Sequence, residues 1–159
     1  MSERIGFFTD DARAAVAVLE RRVLKRRLVG RPEGLELSPA PGGPSIGQAS
    51  RRVMAEWRVD LPSLWRVLIR PGSRRAGATV ALLAPRGTDP AVAGAKLVAA
   101  GVVTSEMAAD DEEYVCRMPV DSPAGALVAF ALAALQAVAG PSPSREWMWA
   151  VRMPGLVPR

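Results

Sequence analysis

The chain has 159 residues, of which 49% are hydrophobic and none is histidine, and its formal net charge is +5. This length predicts one globular domain with a core of ordinary size, and the composition excludes a disordered chain. The absence of histidine removes the commonest general base and metal ligand, and a single cysteine excludes an internal disulfide and a cysteine-cluster zinc site. We therefore expect no catalytic residues, no metal and no cofactor.

The charge is concentrated in the first half of the chain. Residues 1–80 contain 15 Lys and Arg against 8 Asp and Glu, a net charge of +7, whereas residues 81–159 contain 6 against 8, a net charge of −2. A basic half favours an acidic protein or a polyanion as partner. The alternative is a solvated surface in which arginine replaces lysine, a bias typical of a GC-rich bacterial genome.

The two termini predict the compartment and the limits of the domain. No basic segment followed by an apolar stretch opens the chain, so we expect a cytoplasmic protein. The last four residues, LVPR, resemble the remnant of an engineered thrombin site. We therefore expect a single domain over residues 1–154, with 155–159 set apart from it.

The first predicted element is a helix over residues 9–28, with Thr9 as its N-cap. A short strand is predicted over 34–38, and residues 39–47 are predicted to form a flexible loop because proline and glycine dominate them. The last turns of the helix carry a candidate polyanion-binding cluster, which consists of Arg21, Arg22, Lys25, Arg26 and Arg27.

Alternating hydrophobicity predicts two strands, over residues 52–60 and 64–70, and a uniformly apolar run predicts a central strand over 79–84. The short connections between these strands favour an antiparallel meander. Trp57 and Trp65 then point to the core, and the opposite face is a candidate partner-binding surface. Its residues are Arg52, Met54, Arg58, Leu64, Arg66, Leu68 and Arg70.

The second half predicts a short helix over residues 91–100, strands over 102–107 and 113–118, and a helix over 124–140. That last helix is apolar on all sides but too short for a bilayer span, which indicates a buried helix and no membrane partner. The acidic run Asp110 to Glu113 lacks the spacing of a calcium loop, and a solvated turn accounts for it better. Cys116 alternates with apolar residues, which favours a place in the core.

The last predicted strand covers residues 145–152 and places Trp147 and Trp149 on one face. Two interpretations of these tryptophans stay open. They anchor the core, or they form a candidate dimer interface on an exposed edge strand that needs covering.

Together the elements predict an α+β fold, with a mostly antiparallel sheet of about five or six strands and two longer helices and one short helix on one face. The order of elements is broadly similar to small dimeric secretion-chaperone-like domains. This similarity concerns topology only, and no residue role follows from it.

Three functions fit these observations. The leading hypothesis is a small non-catalytic protein-binding module, either adaptor-like or chaperone-like or regulatory, that forms a homodimer. The second is a nucleic-acid-binding regulator that uses the basic helix and the arginine-rich sheet face, with an affinity that falls steeply with salt. The third is an enzyme that uses carboxylates without histidine.

Overall fold

A computed structural model describes residues 4–9, 12–24, 34–39, 47–48, 63–72, 77–101, 106–108, 113–139 and 147–152. The predicted strand over 52–60 lies outside these ranges, and with it Arg52, Met54 and Arg58 of the candidate partner-binding surface. Lys25, Arg26 and Arg27 of the basic cluster also lie outside them.

The described residues form one eight-stranded sheet in which every pair of neighbouring strands is antiparallel. The order across the sheet is β3-β1-β8-β2-β4-β5-β7-β6. The strands are β1 (Arg4–Thr9), β2 (Gly34–Pro39), β3 (Gly47–Gln48), β4 (Arg66–Arg70), β5 (Thr79–Leu83), β6 (Glu106–Ala108), β7 (Glu113–Arg117) and β8 (Trp147–Arg152).

Three helical elements pack with this sheet: α1 (Ala12–Val18), which continues into a π-helical segment (Leu19–Leu24), α2 (Pro90–Ala99) and α3 (Ala124–Ala139). Helix α3 lies on β4 and β5, while α1 and α2 each pack against α3. The main core therefore lies between the helices and one face of the sheet. Among its fully buried side chains are Leu19, Leu35, Leu37, Val67, Ile69, Val80, Leu82 and Leu135.

The α+β mixture is confirmed, but the predicted five or six strands are not, because the sheet has eight strands in the described residues. The prediction missed two short strands. Residues 4–9, for which no strand is predicted, form β1, since the aromatic pair in its sequence RIGFFT favours a strand. Thr9 consequently ends a strand and does not cap the helix, which begins at Ala12. Gly47 and Gln48 of β3 pair with β1 next to the predicted flexible loop.

The two later helices follow their sequence signals closely. The Asp89 side chain accepts a hydrogen bond from the Ala91 N–H at 2.9 Å, and Pro90 occupies the first turn, where its missing N–H costs nothing. Gly101 follows the helix with a φ of 75°, the left-handed conformation that glycine adopts most readily. Before α3, the Ser122 hydroxyl donates to the Pro119 carbonyl at 2.6 Å and so closes the preceding turn.

A close backbone approach fixes the chain just before the first residue of β5. A Cβ atom on Gly77 would lie 1.8 Å from the Met118 carbonyl oxygen, so only glycine fits there. Next to it, the Met118 N–H donates to the Ala78 carbonyl at 2.9 Å. This contact continues the pairing of β5 and β7 beyond the ends of both strands.

Candidate interaction surfaces

The sheet has a second buried face, on the side away from the helices. Side chains alternate along a strand, so Leu68, Ala81 and Leu83 point opposite to the main core, and they form a small apolar cluster of their own with Val115. Leu68 and Ala81 are fully buried. Two ion pairs accompany this cluster, one between Arg66 and Glu36 and one between Arg70 and Glu113.

The first charged pair joins β2 and β4. Arg66 donates from Nη1 to Oε1 of Glu36 at 3.3 Å, and Glu36 is fully buried while the Arg66 side chain is 17% exposed. The register places Glu36 opposite Leu68, so the pair is diagonal and spans two residue positions. A carboxylate buried to this extent requires a cation or hydrogen-bond donors, because desolvation of an isolated charge is costly.

The second charged pair crosses an entire strand. Arg70 donates from Nη1 to Oε1 of Glu113, although Arg70 lies opposite Thr79 on β5 and Glu113 opposite Leu83. The diagonal between them passes over Ala81, midway along β5. A methyl side chain at this position leaves room for the arginine to lie across the sheet.

These pairs change the interpretation of the candidate partner-binding surface. Arg66, Leu68 and Arg70 do share one face, as the alternation predicts, and Leu64 lies half-buried just before β4. Leu68, however, is fully buried and is not available to a partner. Both arginines already bind carboxylates, so they are not a free cationic patch.

Sequence reasoning missed the two glutamates that hold this face together. Glu36 lies between the buried residues Leu35 and Leu37, and a charged side chain inside an apolar strand is a signal for a buried ion pair. Glu113 begins β7, in agreement with the strand predicted over 113–118, but it is buried and does not belong to a solvated acidic turn. Asp110, Asp111 and Glu112 lie outside the described residues.

The basic cluster is described only in part. Arg21 is exposed on the π-helical segment and follows the exposed Glu20. The backbone of Arg22 lies in the same segment. Nothing in the described residues brings these two arginines together with Arg66 and Arg70 into one surface.

The tryptophans of β8 belong to the core of a single chain, which corrects the edge-strand interpretation. Strand β8 lies inside the sheet, between β1 and β2, and so its backbone is paired on both sides. Trp147 and Trp149 are buried at 6% and 2% exposure among the helix-facing core residues. An interface made by these two indoles would require them to leave that core.

Cys116 is a buried thiol on β7. Burial raises the pKa of the Cys116 thiol, because the thiolate is poorly solvated there. A raised pKa and low exposure make the thiol a poor nucleophile. Among the residues that the structure describes, no three Cys, Asp or Glu side chains come together in a group that could hold a metal ion.

The outer side of the helical layer carries two of the three large hydrophobic side chains that are exposed in the described residues, the third being Val120. On α2, Val92 is 51% exposed and Val98 is 78% exposed, although both are branched apolar side chains. On α3, the exposed positions carry alanine, glycine and one glutamine. We define the neutral helical surface as Val92, Ala95, Val98, Ala126, Ala129, Ala133 and Ala137.

Charge is almost absent from this surface. The sequences of α2 and α3 contain one charged residue between them, Lys96, and Gln136 is the single polar side chain of α3. Phe130 and Leu132 flank the exposed alanines of α3 and are half-buried against the core. These two larger side chains border the stripe of exposed alanines on its two sides.

No protein-family model, curated protein sequence or solved structure matches this chain. In the described ranges, no helix combines the length and the hydropathy needed to cross a bilayer. The function must therefore be inferred from the surfaces themselves.

Proposed function

We propose that the chain is a small non-catalytic protein-binding module, adaptor-like or regulatory, whose binding site is the neutral helical surface. The observation that carries this proposal is the pair Val92 and Val98, more than half exposed on a helix that adjoins the alanine-rich α3. Contiguous apolar surface marks protein interaction sites in soluble proteins, and on this proposal the two valines and the exposed alanines of α3 form one such surface. Full burial of one valine stabilises a complex by about 1.5 kcal/mol.

The other described surfaces are less suited to binding a protein partner. The centre of the second sheet face is buried, as Leu68 and Ala81 show, and its arginines are paired with glutamates. In the described residues the sheet ends at β3 with two residues and at β6 with three, and such short edge strands offer few hydrogen bonds to an added strand. The neutral helical surface therefore supports the proposal best.

The non-catalytic part of the proposal is supported by side-chain chemistry. A chain without histidine has no side chain that ordinarily titrates near neutral pH. Glu36 and Glu113, the buried carboxylates of the described residues, each bind an arginine. The buried Cys116 is poorly suited to nucleophilic attack.

The test is capture of partners from native extract by the tagged chain, compared with two variants that carry the same substitution. Ala133→Arg places a charge in the neutral helical surface, and Ala14→Arg places one on the exposed side of α1. We expect the native chain and Ala14→Arg to capture one protein that Ala133→Arg does not capture. Titration of the two purified proteins by calorimetry must then reproduce this difference, and equal binding by both variants would contradict the proposal.

Nucleic-acid binding is the second candidate, because residues 1–80 have a net charge of +7. Arg66 and Arg70 are neutralised by their glutamates, so this function would depend on exposed cations such as Arg13 and Arg21. It predicts binding to duplex or single-stranded DNA at low salt, with an affinity that falls steeply as salt rises. Fluorescence anisotropy with labelled oligonucleotides measures this, and absence of binding at low salt excludes it.

A further inference from the structure

We propose that the occupant of the neutral helical surface is a second copy of this chain, with α3 of one copy packed against α3 of the other around a twofold axis. This inference rests on the proposed function, because it names the partner of the same surface. Three features of the described residues support it, namely charge, shape and area.

The charge distribution favours the chain itself as the occupant. Each copy has a net charge of +5, so two copies repel one another wherever their cations face each other. Exposed cations such as Arg13, Arg86 and Arg117 lie on other elements. Across α3, whose sequence carries no charge, a second copy meets no repulsion, whereas an acidic partner would gain no attraction there. Lack of charge therefore makes this surface complementary to itself.

The shape of α3 suits a symmetric contact. Its exposed alanines lie three or four residues apart, which places them in one stripe along the helix, with Ala129 and Ala133 near its middle. Small side chains allow two helices to pack near the lower limit of the usual 8–10 Å separation. A twofold axis close to these two residues would bring the same stripe of both copies together. Phe130 of each copy would then lose exposed area as well.

The available area indicates a dimer of moderate strength. A helix of 16 residues is about 24 Å long, and two adjacent helices are about 20 Å wide, so the surface covers on the order of 500 Å² in projection. A stable interface of standard size buries about 800 Å² on each partner. We therefore expect a dimer that dissociates at micromolar concentrations.

Sedimentation equilibrium over a dilution series tests this inference. The native chain and Ala14→Arg are expected to shift from dimer to monomer at the same micromolar concentration, whereas Ala133→Arg is expected to be a monomer throughout. Arginine has a helix propensity close to that of alanine, so the exposed helical position tolerates the change. Equal thermal midpoints by circular dichroism, measured at concentrations where the native chain is a monomer, establish that both variants fold.

Disulfide trapping locates the contact independently of charge. Ala133→Cys and Ala14→Cys each add one exposed thiol to a chain whose own Cys116 is buried. Since a disulfide requires Cα atoms within about 7 Å of one another, mild oxidation should link Ala133→Cys into dimers at least tenfold faster than Ala14→Cys.

The outcomes separate this inference from the proposed function. A dimer that Ala133→Arg dissociates, trapped at position 133, supports both. A native chain that stays monomeric at all concentrations overturns the second copy as occupant, yet the capture experiment still supports the binding surface if a partner is lost with Ala133→Arg. A dimer that Ala133→Arg leaves intact also overturns this inference.

Discussion

Arg70 reaches Glu113 across the full width of β5, and the residue beneath that diagonal is Ala81. The three residues belong to three neighbouring strands, so one ion pair ties β4 to β7 with β5 between them. The small side chain of Ala81 leaves room for this crossing. A larger side chain at this position would occupy the space that the arginine crosses.

Replacement of Ala81 by leucine is therefore expected to destabilise the fold by about 1–3 kcal/mol, the usual cost of overpacking a buried site. It should also abolish the energetic coupling between Arg70 and Glu113. Urea unfolding of a double-mutant cycle at these two positions measures the coupling in each background. Ala14→Leu, a control on the exposed side of α1, should change stability by less than about 0.5 kcal/mol. If the coupling between Arg70 and Glu113 persists in Ala81→Leu, the two side chains contact each other without crossing residue 81.

The pair Glu36 and Arg66 predicts a different pattern of stability. Glu36→Ala leaves the mostly buried arginine without this carboxylate, and we expect a loss of about 3 kcal/mol. Replacement of both residues by methionine removes both charges at similar volume and should restore stability to within about 1 kcal/mol of the native chain. Chemical unfolding of the three variants tests this. A double variant as unstable as Glu36→Ala would mean that other contacts of these residues matter more.

Two glycines offer a matched test of the backbone. Gly77→Ala places a Cβ atom 1.8 Å from the Met118 carbonyl oxygen, so β5 and β7 must separate locally, and we expect a loss of about 2–3 kcal/mol. Gly94→Ala adds the same atom inside α2, where nothing lies within 4 Å. Alanine is the better helix former by about 0.5–1 kcal/mol, so this variant should gain stability. The thermal unfolding midpoints of the two variants test this prediction, and shifts of the same sign would contradict the described geometry.

The buried thiol predicts a dependence on alkaline pH. Burial raises the pKa of Cys116 above its value in the unfolded chain, so the unfolded state loses this proton first as the pH rises. Stability should therefore fall between the pKa of the unfolded thiol, about 8.5, and the higher pKa of the native thiol. Cys116→Ala should remove that contribution.

The same burial predicts slow chemistry at the thiol. A disulfide reagent added to the native protein at pH 8 should react at the rate of unfolding and not at the rate of a free thiol. The rate measured against urea concentration distinguishes the two. Immediate modification without denaturant would show that Cys116 is accessible.

The sequence predicts the elements with strong local signals. The cap and the first-turn proline at Asp89 and Pro90 place α2 to within a residue, and alternation places Val67 and Ile69 on the core face of β4. It failed at β1, where a helical period that extends towards Thr9 obscured a short aromatic strand. It left the role of Trp147 open between the core and an edge strand, because the position of β8 between β1 and β2 depends on pairing between the two ends of the chain.

For the surfaces, too, the sequence predicts some features and not others. Alternation indicates that Arg66 and Arg70 share a face, but the glutamates that neutralise them lie 30 and 43 residues away along the chain. No local pattern reveals partners at such separations. The neutral helical surface, by contrast, follows from an apolar helix whose exposed side depends on tertiary packing, so the sequence shows its composition but not its location.

Hydrogen–deuterium exchange as a function of protein concentration detects the contact between two copies directly, because it needs no substitution. At short labelling times, where local opening dominates, peptides from 90–99 and 124–139 should exchange more slowly in concentrated than in dilute solution, while residues 12–18 of α1 should not change. Slower exchange confined to other elements, or exchange of α3 that is independent of concentration, would contradict the neutral helical surface as the contact between two copies.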